Sequence, residues 1–551
     1  MSTEEMSIEA AHDPRLTTTA FEGAKKLHIS AEEAALMVKG SMQFPKSYHV
    51  WGLTIPAYSH PRVQVVLLGC VIFMTAGIYQ VITALGGAGQ QSAQLADSAS
   101  ITLFSVFMGF TLLAPPVLNY FGIRLTLGVG SLGYAAYSAS LWCYNHTGNQ
   151  PFVIFGGAWC GFSAAFLWVA ERVGPVAYAS EDQKGFYVAI FWTVYQIGTM
   201  LGAAIPVGQN WNAGVNNHST VTDGTYIGLF IIMLCGAGVS FLLLPMDKVV
   251  REDGTRVALP VSFVCIICII FALLGLPKFI IPELLTFAEQ PALSFKEQIK
   301  ACAKVVKHNY WIMLVWPYSF SVYYYVVYQA NRYNGLVFTV RARALNSLMN
   351  CFMAILAGWV MSLITDRLPF KRRQRAYCGL FFNWFLVNAV WLGGYFAMRE
   401  TVSGLTESEK LDVYSPGYGA KAFLFVMYGY MDGSYITYLS WFFGALSNDV
   451  KVLSVFVSML TFWSSACQIV AYTLDYHHVS TRFMFGSAWF CMAIGPPFLF
   501  PIIKYWMKDT SVLTLEVLNG TVPSVDEKTS DALPTEKGIS ATTTVDMFEG
   551  K

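Results

Sequence analysis

Residues 422–446 read AFLFVMYGYMDGSYITYLSWFFGAL and hold a single ionisable acid or base, Asp432. A membrane crossing takes about 20 mostly apolar residues, so the run is long enough to span. A carboxylate deep inside it is costly unless it is paired or hydrated. Tyr428, Asp432 and Tyr435 share one helical face by i, i+4 and i+3 spacing. The stretch therefore predicts a membrane helix with a polar stripe. Such a stripe suits a polar cavity lining, a proton or cation site, or a buried structural bond, and function is the favoured reading for Asp432.

The same criterion finds eleven more spans, at 63–85, 100–120, 125–144, 152–174, 185–208, 225–245, 309–329, 342–365, 376–398, 452–474 and 484–506. Composition agrees. The chain has 551 residues, 55% hydrophobic and 13% charged, against about 25% charged in soluble domains. The expected fold is an all-α membrane bundle of about twelve helices in two six-helix halves. The expected division is a cytoplasmic tail at 1–62, one bundle at 63–245, a cytoplasmic linker at 246–308, a second bundle at 309–506 and a disordered cytoplasmic tail at 507–551. A net charge of +1 gives no basic field for nucleic acid. Most of the 11 cysteines lie in apolar runs and read as inert thiols. Cys265 and Cys268 form a C-x-x-C with no His or second pair nearby, so no metal site is expected.

Lys and Arg set the orientation. With the N-terminus in the cytoplasm, the first-half outer loops contain none, whereas inner loops carry Arg124, Lys184, Lys248, Arg251 and Arg256. In the second half Arg367, Lys371, Arg372, Arg373 and Arg375 cluster inside. Arg332, Arg341, Arg343, Arg399, Lys410, Lys421 and Arg482 are exceptions on the outside. Two glycosylation sequons, at Asn145 and Asn217, fall outside. Asn217 sits in the longer loop and is the better candidate.

One apolar run is surplus. Residues 257–281 read VALPVSFVCIICIIFALLGLPKFII. A true crossing here would put the Arg367–Arg375 cluster outside, against the charge rule. The insert at 257–288 reads as a re-entrant or interfacial helix, an odd extra span, or, over 261–288, a translated intron. Donor-like and acceptor-like codons can encode its ends, and transcript sequencing that found it in the mature message would remove the third reading. Excision would join the linker to an amphipathic segment at 293–307.

The loop after the second span reads Pro115-Pro-Val-Leu-Asn119-Tyr-Phe-Gly122-Ile-Arg124. The corresponding loop after the eighth reads Ser362-Leu-Ile-Thr-Asp366-Arg367-Leu-Pro-Phe-Lys371. Both are degraded copies of G-x-x-x-D-x-x-G-x-[RK], the cytoplasmic loop of the major facilitator superfamily. Asn119 replaces the acid and Pro115 the first glycine in the first copy. Two copies at matching places suggest a six-plus-six repeat. Asn119, Gly122, Arg124, Asp366 and Arg367 are thus candidates for a cytoplasmic gate, with Glu171 and Arg172 at the end of the fourth span.

Tyr318, Ser321, Tyr325, Tyr328, Gln329 and Arg332 lie near one face of the seventh span. Ser458, Thr461, Ser465, Gln468 and Tyr472 do likewise on the eleventh, and Gln80 and Gln196 are single candidates in the first half. They could line a central path or bond helix to helix, as polar residues in spans often do. No G-x-x-x-x-G-K-[ST], H-E-x-x-H or G-x-S-x-G occurs, so neither an ATP-driven pump nor a hydrolase is indicated. No catalytic residue and no cofactor is expected.

Five strings carry a closer likeness: FGIRLTLGVGSLGYAAYSASLWCYN, YVAIFWTVYQIG, LLLPMDKVVREDGTRV, VYQANRYNGLVFTVRARALNSL and YGYMDGSYITYLSWFFGALSND. With them the chain resembles the uncoordinated-ninety-three-like branch of the major facilitator superfamily, in its fungal form. The resemblance implies a facilitator-type bundle and matches Asp432, Asn448, Asp449 and Gln468 to the family's polar positions. The apolar insert departs from the family pattern. Two functions follow as expectations. One is secondary transport of a small molecule or ion, with Asp432, Tyr428, Tyr435, Gln80, Gln196, Tyr325, Gln329 and Gln468 along the path. The other is a non-transporting regulator or escort of channels or receptors, with a membrane-protein partner. Either places the chain in the lipid bilayer of the plasma membrane or an endomembrane.

Overall fold

The computed structural model describes residues 48–50, 53–80, 93–210, 223–255, 257, 295–401 and 409–510. The apolar insert beyond Val257, Asn217, Cys265, Cys268 and most of both tails lie outside them. In hydrocarbon each backbone N–H must be satisfied within its own segment, and helices duly dominate. The sheet among the described residues is one hairpin, β1 (Tyr48–Val50) with β2 (Leu53–Ile55).

The first half contains α1 (Pro61–Ile72), α2 (Ala93–Thr111), α3 (Ala114–Thr147), α4 (Gln150–Tyr178), α5 (Lys184–Asn210) and α6 (Asp223–Val239). A π-helical turn at Phe73–Gly77 carries α1 on. An amphipathic helix, α7 (Phe295–His308), precedes the second half. There follow α8 (Trp316–Ser321), α9 (Val340–Ser362), α10 (Arg372–Thr401), α11 (Tyr418–Leu446), α12 (Val450–Tyr476), α13 (Thr481–Ile494) and α14 (Leu499–Tyr505).

Seven helical segments among the described residues are long and apolar enough to cross a membrane on composition alone. The rest of the expected dozen are present but interrupted, short or tyrosine-rich. Gly122, at φ 74 and ψ 170, divides α3 into pieces at 114–121 and 123–147, as a boundary between the second and third spans requires. The seventh span breaks after Ser321, where Val322 is extended and Tyr323 takes a left-handed φ of 70. It resumes as a π-helical segment at Tyr328–Asn334. α11 is long enough, but its tyrosines, glycines and serines lower its hydropathy. Large apolar side chains on the bundle's outside, such as Phe385, Phe423 and Phe490, are exposed, as a lipid-facing surface demands.

Small residues allow the close approaches. A side chain at Gly161 of α4 would strike the Leu103 carbonyl of α2, and one at Gly433 of α11 would strike the Ala354 carbonyl of α9. The two contacts occupy matching places, second span against fourth and eighth against tenth. The halves meet chiefly through α5 on α9 and α2 on α12.

Candidate functional site: a closed path between the halves

The two polar stripes read from the seventh and tenth spans face one another. Tyr318 stacks on Tyr435 with ring centroids 4.1 Å apart. Ser321 Oγ and the Tyr435 hydroxyl lie 2.7 Å apart, and the Tyr325 hydroxyl donates to Asp432. Much of this stripe is therefore consumed as a seam within the second half. Tyr428 departs from the path: it is fully buried, packs against Trp391 and Tyr333, and its hydroxyl points at Gly394 of α10. Gln468 donates within its own helix, to the Ser464 carbonyl at 3.3 Å. Gln196 is buried on α5. Gln329 is buried with its Nε2 unbonded among the described residues.

A second cluster was only half visible in the sequence. Glu171 and Arg172 line a cleft between the halves, with Trp168 and Trp192 from the first half and Tyr323 and Thr437 from the second. The Arg172 guanidinium lies 5.3 Å from the Trp168 ring and 5.9 Å from the Tyr323 ring. Its Nη1 donates to Thr461 Oγ1 at 3.3 Å. Arg172 thus bridges α4 to both the broken seventh span and α12, and it is engaged here and not with Arg124, which donates to the Phe241 carbonyl. Glu171 is 1% exposed. One of its oxygens is 3.6 Å from Arg172 Nε, and the other has no partner among the described residues. Tyr323 lies within electrostatic reach of Arg172, Asp432 and Glu171. Tyr195, bonded to Gln80, reaches the same group. The cleft's free volume is about 20 Å³, space for a single water. Trp168, Tyr195 and Tyr323 were missed in the sequence. The available signal was Trp168, one helical turn before Arg172.

Both ends of this cleft are shut. At the Gly122 end, Glu181 pairs with Arg372 at 2.6 Å and accepts from Asn448 at 3.1 Å. Buried Lys184 donates to the Gly444 carbonyl and to Asn448, and Arg251 donates to the Ala177 and Asn448 carbonyls. Burial works against the Arg251 charge and brings its pKa down to about 10. Asp366 accepts from the backbone N–H of Gly185 at 3.1 Å and Phe186 at 2.7 Å. These are orphan donors at the start of α5, where a carboxylate is favoured. Asn119 sits in the matching place and reaches Ser454 of α12 at 3.5 Å, a neutral and weaker link. Beside Asp366 the engaged cation is Arg375, which donates to the Thr365 and Asp366 carbonyls, whereas Arg367 is exposed. At the opposite end Arg332 pairs with Asp475 at 2.5 Å, and Asp97 of α2 feels both charges. Arg341 pairs with Asp412. Two of the outside exceptions to the charge rule are therefore neutralised. Asn145 is exposed in the last turn of α3.

Among the described residues no group of three or more His, Cys, Asp or Glu side chains could hold a metal ion. The arrangement is a buried, charge-paired cleft between two bundles, latched at both ends.

Comparison with known proteins adds to the geometry. The family described as "Ion channel regulatory protein UNC-93" matches residues 97–393. An UNC93-like protein of Schizosaccharomyces pombe is 30% identical over 470 residues, covering 85% of this chain and 86% of the relative. UNC93-like protein 1 of Arabidopsis thaliana is 26% identical, covering 82% and 92%. Among solved structures, the fucose:proton symporter of E. coli is similar at TM-score 0.47 and 13% identity, over 81% of this chain and 98% of that one. On the family match and the 30% identity, this multi-pass membrane protein belongs to the UNC-93 family, the branch its five strings led us to expect.

Proposed function

We propose that the protein is a secondary carrier of a small solute, cycling by rocking of its halves about the cleft at Glu171, Arg172 and Tyr323. The observation that carries this reading is the interruption of the seventh span at that depth. Irregular backbone inside a membrane is tolerated where it lines a cavity or is buried in protein, and broken helices mark binding sites in carriers. A left-handed Tyr323 is strain of the kind kept at functional sites. Asp432, held by Tyr325, is the coupling charge, and Gln80, Gln196 and Gln329 flank the path. Lys and Arg bias supports a cytoplasmic Gly122 end and cytoplasmic termini, with 63–245 and 309–506 as the moving bundles and any glycan on Asn217 or Asn145. The test is solute-dependent flux or proton movement in proteoliposomes. An Asp432→Asn protein that folds and transports like wild type would refute the coupling role.

The family description favours a second reading, a regulator of membrane-protein partners that keeps the fold without carrying solute. A stable partner captured in detergent together with absent flux would select it.

A further inference from the structure

The chemistry of the cleft narrows the solute, on the premise that the carrier reading holds. Glu171 and Arg172 are its one carboxyl and its one guanidinium side chain, and the remaining walls are aromatic, aliphatic or hydroxyl groups. Their formal charges are opposite and equal. The pair is loose: the 3.6 Å separation exceeds a hydrogen bond. A carboxylate oxygen of Glu171 is buried and unbonded among the described residues. A buried acceptor without a partner calls for a donor. Arg172 donates to Thr461 with one of the five N–H donors a guanidinium offers, and its face rests on Trp168 and Tyr323.

A solute entering this cleft must break or share the pair. An organic cation would satisfy Glu171 and leave Arg172 with a surplus charge, and an organic anion would do the reverse. Uncompensated buried charge is heavily penalised. A zwitterion answers both groups at once. We propose that the cleft binds a small zwitterion of the amino-acid type. Its ammonium takes the free Glu171 oxygen, its carboxylate takes the Arg172 guanidinium, and its apolar part lies among Trp168, Phe191 and Trp192. The closed cleft has no room for it, so binding requires the halves to part at one latch.

The experiment measures binding, so it does not depend on transport. Purified full-length protein in detergent is titrated with L-alanine, L-leucine and L-phenylalanine by thermal shift and calorimetry. Each is compared with its decarboxylated amine and its deaminated acid. The expected result is that an amino acid binds and both half-charged analogues bind roughly a hundredfold more weakly, as for loss of one partner of a buried charge pair. Glu171→Gln is expected to abolish the preference for the amino acid over the acid, and Arg172→Gln the preference over the amine. The proposal is overturned if an acid binds as well as its amino acid, which marks an anion-plus-proton site, or if no amino acid binds protein that melts cooperatively. Amino-acid binding without flux would sink the carrier reading alone, and flux of a non-zwitterion would sink this proposal alone.

Discussion

The hydroxyl of Tyr325 donates to the carboxylate of Asp432, tying the interrupted seventh span to α11 across 107 residues of sequence. Without that donor the buried carboxyl group loses its hydrogen-bond partner. Tyr325→Phe is expected to lower stability by about 1–3 kcal/mol, the range for a buried polar group left unsatisfied. Adding Asp432→Asn should recover part of the loss, so the double mutant would be non-additive. Thermal unfolding of the four proteins in one detergent checks this, and strict additivity would show that the carboxyl group at 432 adds nothing beyond what an amide supplies to the bond.

Gly122 separates strain from clash. A side chain there would meet nothing within 4 Å, yet φ 74 with ψ 170 is a region open essentially to glycine. Gly122→Ala should destabilise the protein by about 1–3 kcal/mol from backbone strain alone. An unchanged melting temperature would mean that the turn relaxes freely.

The latch at the Gly122 end rests on Arg372 holding Glu181. Arg372→Met removes this salt bridge and leaves the Glu181 carboxylate to Asn448 and Thr510, with the Lys184 and Arg251 charges nearby. The halves should then part at this end, where water can reach Glu181. A Thr437→Cys reporter in the cleft is expected to react with a water-soluble maleimide about tenfold faster in the Arg372→Met background, as for a shift of ~1.4 kcal/mol in the opening equilibrium. Equal rates would place the restraint elsewhere.

Asp412 supplies a pH signature outside the spans. A hydrogen bond from Arg341 holds its carboxyl below the ordinary value. A lowered folded pKa means the stabilisation is complete above the unfolded value, about 3.9. It disappears as pH falls through the lower folded value. Asp412→Asn should therefore reduce the melting temperature at neutral pH and flatten the acid limb of its pH profile. A mutant whose profile parallels wild type down to acid pH would count against the pairing.

Sequence periodicity and composition determined a good deal. Apolar run length placed the helices, including α11 with its acid, since hydrocarbon leaves a chain few other ways to satisfy its backbone. The loop motif located Gly122 and Asp366, because a reversal needs a glycine conformation and a helix start attracts a carboxylate. Helical spacing put Tyr318 and Ser321 on one face, whereas the break after Ser321 means that Tyr325 reaches the same side through irregular backbone. What spacing cannot carry is the identity of the facing neighbour. Only the packed bundle decided that the stripes holding Tyr325 and Tyr435 consume each other, that Tyr428 turns to an aromatic cluster, that Arg372 is spent on a latch, and that Arg375 holds the Thr365 and Asp366 carbonyls of its own half. Glu171 and Arg172 read as interfacial charges, and only the approach of α12 and the broken seventh span enclosed them. A local pattern states which side of a helix is polar, whereas the pairing energy depends on groups hundreds of residues away, brought close by the shape of the whole bundle.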